Sequence, residues 1–180
     1  MAAKPILQLS TCVVRAYHDE DAESLAKAAN NLQIARWLQN TFPHPYTIQD
    51  AQKWISIAKA QSPLLNFTIC QHDGFSIIGG IGLKAREDIH HRSMEIGYWI
   101  AEEYWHQGIA TEVITAFSNW AFDNFKHLVR LDAEIFEGNV ASCRVLEKCG
   151  FEFEGRQRAA VEKHGVIMDT LTYVKIKLEN

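Results

Sequence analysis

The segment Tyr104 to Glu112 reads Tyr-Trp-His-Gln-Gly-Ile-Ala-Thr-Glu, a small-residue turn that opens directly into an amphipathic helix. The first backbone N–H groups of such a helix lack partners within it, and the helix dipole adds partial positive charge, so the segment is suited to an anion. Gly108 and Ala110 carry little or no side chain, which lets a pyrophosphate lie against the backbone. A second helix opens at Asn139-Val140-Ala141-Ser142. Asn139 is a good N-cap, its side-chain oxygen accepting the N–H of Ser142 or a neighbour. Ser142 shares an inward stripe with Leu146 and Cys149. Its hydroxyl either bonds the backbone near the cap or is aimed into a site.

Other chemistry-bearing residues read more plainly. Gly79-Gly80-Ile81-Gly82 looks like part of a dinucleotide fingerprint but sits inside a strand pattern with no helix behind it. It reads as a bulge or a close backbone approach. Cys12, Cys70, Cys143 and Cys149 have no Cys-x-x-Cys spacing and lie among apolar neighbours, so reduced, buried thiols are expected. The His90-His91 pair follows Arg86-Glu87-Asp88 and reads as a solvated hairpin tip. No His-x-x-x-His or His/Cys cluster suggests a metal.

The elements that must position these residues follow from periodicity. Ile6 to Ala16 is one strand by composition, and His18-Asp19-Glu20-Asp21 starts a helix with acids at its positive end. Leu25, Ala28, Ala29 and Leu32 recur at helical spacing. Thr47-Ile48-Gln49-Asp50 opens a second helix with a capping pattern. Strands are expected at Leu65–Gln71, Phe75–Lys84 and Ser93–Ala101, with a tight turn at His72-Asp73-Gly74. A helix from Ile109 to about Phe125 carries Val113, Ile114, Phe117, Trp120 and Ala121 on one stripe. Leu128–Phe136 is a strand, Asn139–Cys149 a helix ended by Gly150, and Phe151–Phe153 a strand. A closing hairpin turns at Lys163-His164-Gly165, and its last strand runs from Val166 to Leu178. The order is β-α-α-β-β-β-α-β-α-β-β, one mixed α/β domain over residues 1–180.

Bulk properties narrow the function. The 180 residues are 47% hydrophobic and 22% charged, an ordinary globular balance long enough to bury a core without disulfides or metal. A net charge of −4 leaves no basic footprint for nucleic acid. No apolar stretch reaches the roughly 20 residues that span a bilayer, and Met-Ala-Ala-Lys-Pro has no signal-peptide core. A cytoplasmic protein without a membrane partner is expected.

Four features in order resemble the GNAT superfamily of N-acetyltransferases: Met94-Glu95-Ile96-Gly97-Tyr98-Trp99-Ile100, then Gln107-Gly108-Ile109-Ala110-Thr111-Glu112, then Asn139-x-x-Ser142, then Leu146-Glu147-Lys148-Cys149-Gly150-Phe151. Glu-Ile-Gly-Tyr and Asn-x-x-Ser, with Arg36-Trp37-Leu38, Asp169 and Tyr173, resemble its RimJ/RimL-like branch, whose best-known members acetylate N-terminal amines of ribosomal proteins. The resemblance covers nearly the whole chain. It implies a seven-stranded, mostly antiparallel mixed sheet splayed between strands 4 and 5, the runs Ser93–Ala101 and Leu128–Phe136. It implies acetyl-CoA as cosubstrate, with Trp99 and Ile100 leaving backbone groups for the pantetheine amides. Backbone N–H groups of His106, Gln107, Gly108, Ile109, Ala110 and Thr111 would cradle the pyrophosphate, and Asn139 would bond the pantetheine arm. Arg144 would either meet the nucleotide phosphates or remain solvated.

Two departures stand out. The superfamily signature Gln/Arg-x-x-Gly-x-Gly/Ala places Trp105 at a polar position, and Leu146 stands where many members carry a proton-donating tyrosine. In this branch a serine matching Ser142 is assigned the general-acid role. The implied reaction is direct attack of a primary amine on the thioester, with Glu95 taking the amine's proton. Glu95 shares a strand face with Gly97, whose lack of a side chain leaves open space; the other reading is a solvated or ion-paired glutamate. Backbone N–H near Trp99-Ile100 would polarise the thioester carbonyl. A covalent route through Cys143 or Cys149 lacks a His/Asp partner. The rival class is an acyl-CoA-binding sensor or interaction module that kept the fold and lost the chemistry. The acceptor would be set by Gln39–Thr47 and by the hairpin around Val161–Ile167; a protein N-terminus, a polyamine, an amino sugar or an antibiotic all satisfy the sequence. The hairpin also offers an edge for a homodimer.

Overall fold

The N-terminal apolar run folds back on itself. In the computed structural model, which describes residues 4–177, it forms two strands, β1 (Leu7–Gln8) and β2 (Val13–Arg15), paired antiparallel around a turn in which Leu9 N–H donates to the Cys12 carbonyl. Three helices follow: α1 (Ala22–Ala29), α2 (Leu32–Ala35) and α3 (Ile48–Lys59). Then come β3 (Asn66–Cys70), β4 (Ile77–Ala85), β5 (Ser93–Ile100), α4 (Ile109–Asn124), β6 (Arg130–Phe136), α5 (Val140–Lys148), β7 (Glu152–Lys163) and β8 (Val166–Ile176). Hydrogen-bonded neighbours give one sheet of eight strands in the order β1-β2-β3-β4-β5-β6-β8-β7, antiparallel in most pairs and parallel between β5 and β6. The strand count thus corrects the expected seven, because the first run is interrupted at Ser10-Thr11. The proposed strand end at Leu178 lies outside the described residues.

The chain divides into two compact units, one holding residues up to Gly82 with Tyr98–Ile109, the other Leu83–Gly97 with the residues from Ala110 on. In the first, α1 and α3 lay Leu25, Ala26, Ala29, Ala51, Ile55 and Ala58 onto Val13, Cys70 and Ile77. Asp21 belongs to the helix start as expected, as the N-cap of α1. It lies in a short 3-10 turn before α1, 5% exposed, and its carboxylate takes both ends of the Arg15 guanidinium at 2.7 and 2.8 Å. Arg15 Nε donates to the Gly74 carbonyl and Nη1 to that of the adjoining Ala16, so the buried cation ties its own strand to the turn at Asp21 and to the one at Gly74. The Thr47–Asp50 capping box of α3 forms as expected.

The glycine run in β4 marks a close approach. A Cβ on Gly79 would stand 2.4 Å from the Trp99 carbonyl oxygen, a backbone atom that cannot swing aside, so only glycine lets β4 lie beside the end of β5. The register shift opposite Ile69 and Cys70, which face Gly79 and Ile77, leaves Ile78 as the extra residue and so puts the bulge in β4 itself.

In the second unit α4 is the crossover that parallel strands require. Val113, Ile114, Phe117 and Ala121 are each at most 1% exposed, and fully burying a side chain of Val or Phe size contributes about 1.5–3 kcal/mol. The β5–β6 ladder pairs Ser93 with Arg130, Met94 with Leu131 and Glu95 with Asp132. No further pair is recorded among the described residues, although β6 continues to Phe136. This is the expected splay. No helix of the described residues is long and apolar enough to cross a membrane.

Candidate active site

The turn before α4 is shaped by the backbone at the end of β5. After Ile100 the chain makes a 3-10 turn over Glu102–Tyr104, and the Trp105 indole N–H donates back to the Ile100 carbonyl at 2.7 Å. Trp105 therefore replaces a polar anchor with an internal latch. His106 and Gly108 both adopt positive φ, +61° and +80°. Alternation of this kind curves the chain so that successive N–H groups turn toward one side, an arrangement suited to anions. A Cβ on Gly108 would meet nothing within 4 Å, so the space beside it is open. His106, Gln107 and Gly108 are exposed, whereas Ile109, 5% exposed, fixes the first residue of α4 in the core. Gln107 donates to the Glu103 carbonyl, and Tyr104 Oη accepts from Gln71, which braces the turn from two sides.

Trp99 is half-buried, its ring edge-on to Phe42 at 5.9 Å. Phe42 in turn packs on Tyr46, which is 6% exposed. The Gln39–Thr47 loop thus covers core with Phe42 and Tyr46, the commoner fate of such residues, and leaves His44 and Pro45 exposed.

In the second unit, Glu95 alternates with buried Met94 and Ile96 and so shares a face with Gly97. A Cβ on Gly97 would touch nothing within 4 Å, so the open space expected beside Glu95 is present. Glu95 is half-buried, and burial pushes its carboxyl above the usual range. Glu134 and Asp132 push the same way, while Lys84 and Arg86 oppose them. Asn139 caps α5 with its side-chain oxygen on the Ser142 N–H at 3.3 Å. Because Asn139 supplies the cap, the Ser142 hydroxyl is not needed for it; Ser142 is half-buried above Leu146, which is fully buried. Ala110 and Thr111 are half-buried in the first turn of α4, and the Thr111 carbonyl accepts from the Cys149 thiol at 3.4 Å. Arg144 is exposed.

All four cysteines are free thiols; Cys12, Cys70 and Cys149 are buried as expected, but Cys143 is only half-buried. The Tyr173 hydroxyl donates to Glu147 on α5. Asp169 holds Arg156 and the Ala159 N–H, which ties down a residue of β7 at positive φ. Sequence reading passed over Asp132 and Arg86. Arg130, Asp132 and Glu134 alternate with apolar residues along β6, so Asp132 reads as part of a solvated face, although it is buried.

The acetyltransferase (GNAT) domain family matches residues 12–152. The chain is 32% identical over 175 residues to the uncharacterized N-acetyltransferase YoaA of Bacillus subtilis (strain 168), spanning 96% of this chain and 97% of that one. It is 28% identical over 176 residues to a protein of the same organism named "Putative ribosomal N-acetyltransferase YdaF", spanning 92% and 91% of the two chains. Among solved structures, the ribosomal L7/L12 alpha-N-protein acetyltransferase RimL, in complex with coenzyme A, shares its fold at a TM-score of 0.83 and 20% identity, over 96% of this chain and 98% of that one. The chain belongs to the GNAT acetyltransferase family and is an acetyl-CoA-dependent acyltransferase.

Proposed function

We propose that this protein transfers the acetyl group of acetyl-CoA to a primary amine by direct attack, the acceptor being a protein N-terminal α-amine, and that residues 1–180 act as one catalytic domain in the cytoplasm. The observation that carries the proposal is Glu95, a half-buried carboxyl held above its usual range beside the open space at Gly97. An amine arrives as an ammonium ion, and a carboxylate of raised proton affinity is suited to take its proton, directly or through a water. The amine nitrogen then bonds the thioester carbon as the carbon–sulfur bond breaks. Backbone N–H near Trp99 and Ile100 faces the carbonyl oxygen, and Ser142 returns a proton to the leaving thiolate.

The residues of the turn fit the cosubstrate. Gly108 presents bare backbone to open space, His106, Gln107 and Gly108 are exposed, and the N-terminus of α4 follows at once. The N–H groups of His106, Gln107, Gly108, Ile109, Ala110 and Thr111 are assigned to the pyrophosphate and Asn139 to the pantetheine arm. The acceptor class is supported by the likeness to YdaF and RimL and by the Glu-Ile-Gly-Tyr and Asn-x-x-Ser motifs. β7, last in the strand order, offers the edge on which a second copy would pair.

A second reading, a binding module without turnover, draws on two observations: Leu146 is fully buried where a proton donor would stand, and the Trp105 N–H is engaged within the turn. Thiol release separates the two. With acetyl-CoA present, a panel of peptides with varied N-termini, polyamines and aminoglycosides should give free CoA with the peptides; no release with any amine would leave only the binding module. Gly108→Val should abolish acetyl-CoA binding by calorimetry while the circular dichroism spectrum is retained, since valine tolerates φ +80° poorly and fills the open space. Unchanged affinity would remove the turn from the cosubstrate site.

A further inference from the structure

The last pair of the β5–β6 ladder sets two carboxylates side by side. Glu95 and Asp132 are register partners, and partners on adjoining strands point to one face about 5 Å apart. Asp132 is 4% exposed. Its Oδ2 accepts from Arg86, a residue just beyond β4. Its Oδ1 has no hydrogen-bond partner among the described residues and stands 3.7 Å from Arg130 Nε. Arg130 is itself engaged by Glu154 of β7 through both terminal nitrogens, at 2.8 and 2.5 Å. The charged groups acting on Glu95 come from two neighbouring stretches: Lys84 and Arg86 from β4 and its end, Asp132 and Glu134 from β6.

We propose that Asp132, held by Arg86 and paired in register with Glu95, is a positioning residue for the base. The proposal deepens the reading of Glu95 as the base and rests on it. A carboxylate fixed beside Glu95 disfavours a second negative charge, so Glu95 keeps a proton more readily and is the stronger base when ionised. Arg86 tempers the effect by offsetting the Asp132 charge. Its side chain is 42% exposed against 5% for Asp132, so solvent screens the cation more than the anion.

Two opposite shifts follow. Asp132→Asn removes the neighbouring charge but leaves Arg86, so Glu95 should titrate lower by about 0.5–1 pH unit. Arg86→Gln leaves the charge without its counter-ion, so Glu95 should titrate higher by about the same amount. The experiment is a carboxyl-carbon NMR titration of the full chain, with the Glu95 resonance assigned by its loss in Glu95→Gln. The pH profile of kcat/KM is recorded on the same variants. Opposite shifts of the Glu95 titration support the proposal. A Glu95 titration unmoved in Asp132→Asn overturns it, and that near-isosteric variant carries the test alone should Arg86→Gln fail to fold. If the resonance moves and the rate profile does not, the coupling stands and the base assignment fails instead.

Discussion

Glu95→Gln should lower kcat/KM by about 10²–10⁴-fold, the range that a positioned acid or base contributes. The amide is close to the carboxylate in size but cannot accept a proton at neutral pH, so the half-buried face of β5 keeps its shape and loses its chemistry. Acetyl-CoA binding should persist, because no cosubstrate contact is assigned to this side chain. The pH profile makes the prediction sharper. Burial, with Glu134 and Asp132, raises the Glu95 carboxyl, and a base acts only when ionised. The rate should therefore fall as pH is lowered through a value above the ordinary carboxylate range, and that acid limb should vanish from the residual activity of Glu95→Gln. Stopped-flow or thiol-trapping rates across pH would measure both. Wild-type turnover with an unchanged profile would exclude Glu95 as the base.

The second large effect concerns stability. Asp21→Ala should cost about 3–5 kcal/mol, the loss expected when one partner of a buried ion pair is removed. Arg15 is 2% exposed and would keep only its hydrogen bonds to the Gly74 and Ala16 carbonyls, with no anion to offset its charge. Asp21 also accepts the His18 N–H, so the turn before α1 loses an anchor at the same time. Domains of this kind are stable by about 5–15 kcal/mol, so such a loss is a large part of the whole. Urea unfolding followed by circular dichroism would record it as a lower midpoint at similar slope. A cost below about 1 kcal/mol, the value of an exposed pair, would mean that the pair is solvated in solution.

Local features were legible in the sequence, and long-range pairings were not. α4 was readable because its stripe repeats over four turns and ends in a buried face, and the turn before it because glycine at positive φ leaves its mark in residue type. The Asn139 cap was readable because donor and acceptor lie three residues apart. The first strand concealed a reversal because the turn at Leu9–Cys12 is marked only by Ser10-Thr11, with apolar residues on both sides and no glycine or proline. α2 was hidden in the same way: Leu32 continues the spacing of α1, and only the Asn30-Asn31 pair, whose second side chain caps α2, betrays the break. β7 extends well past Phe153 because two register shifts and mostly exposed side chains blur its alternation. The Arg86–Asp132 contact joins residues 46 apart, and Arg15 reaches Gly74 across 59. No periodicity encodes such distances.

The Trp105 latch has a consequence in the thermodynamics of association. A loop that binds a charged ligand through backbone N–H groups ordinarily loses conformational entropy on binding, which weakens affinity. Here the indole N–H closes the loop onto Ile100, with Gln107 and Tyr104 bracing it, when the chain folds. The ordering belongs to folding rather than to binding. If the turn holds the pyrophosphate as proposed, the anion would meet a surface already in its final shape, and the indole would contribute through rigidity what it does not contribute through charge.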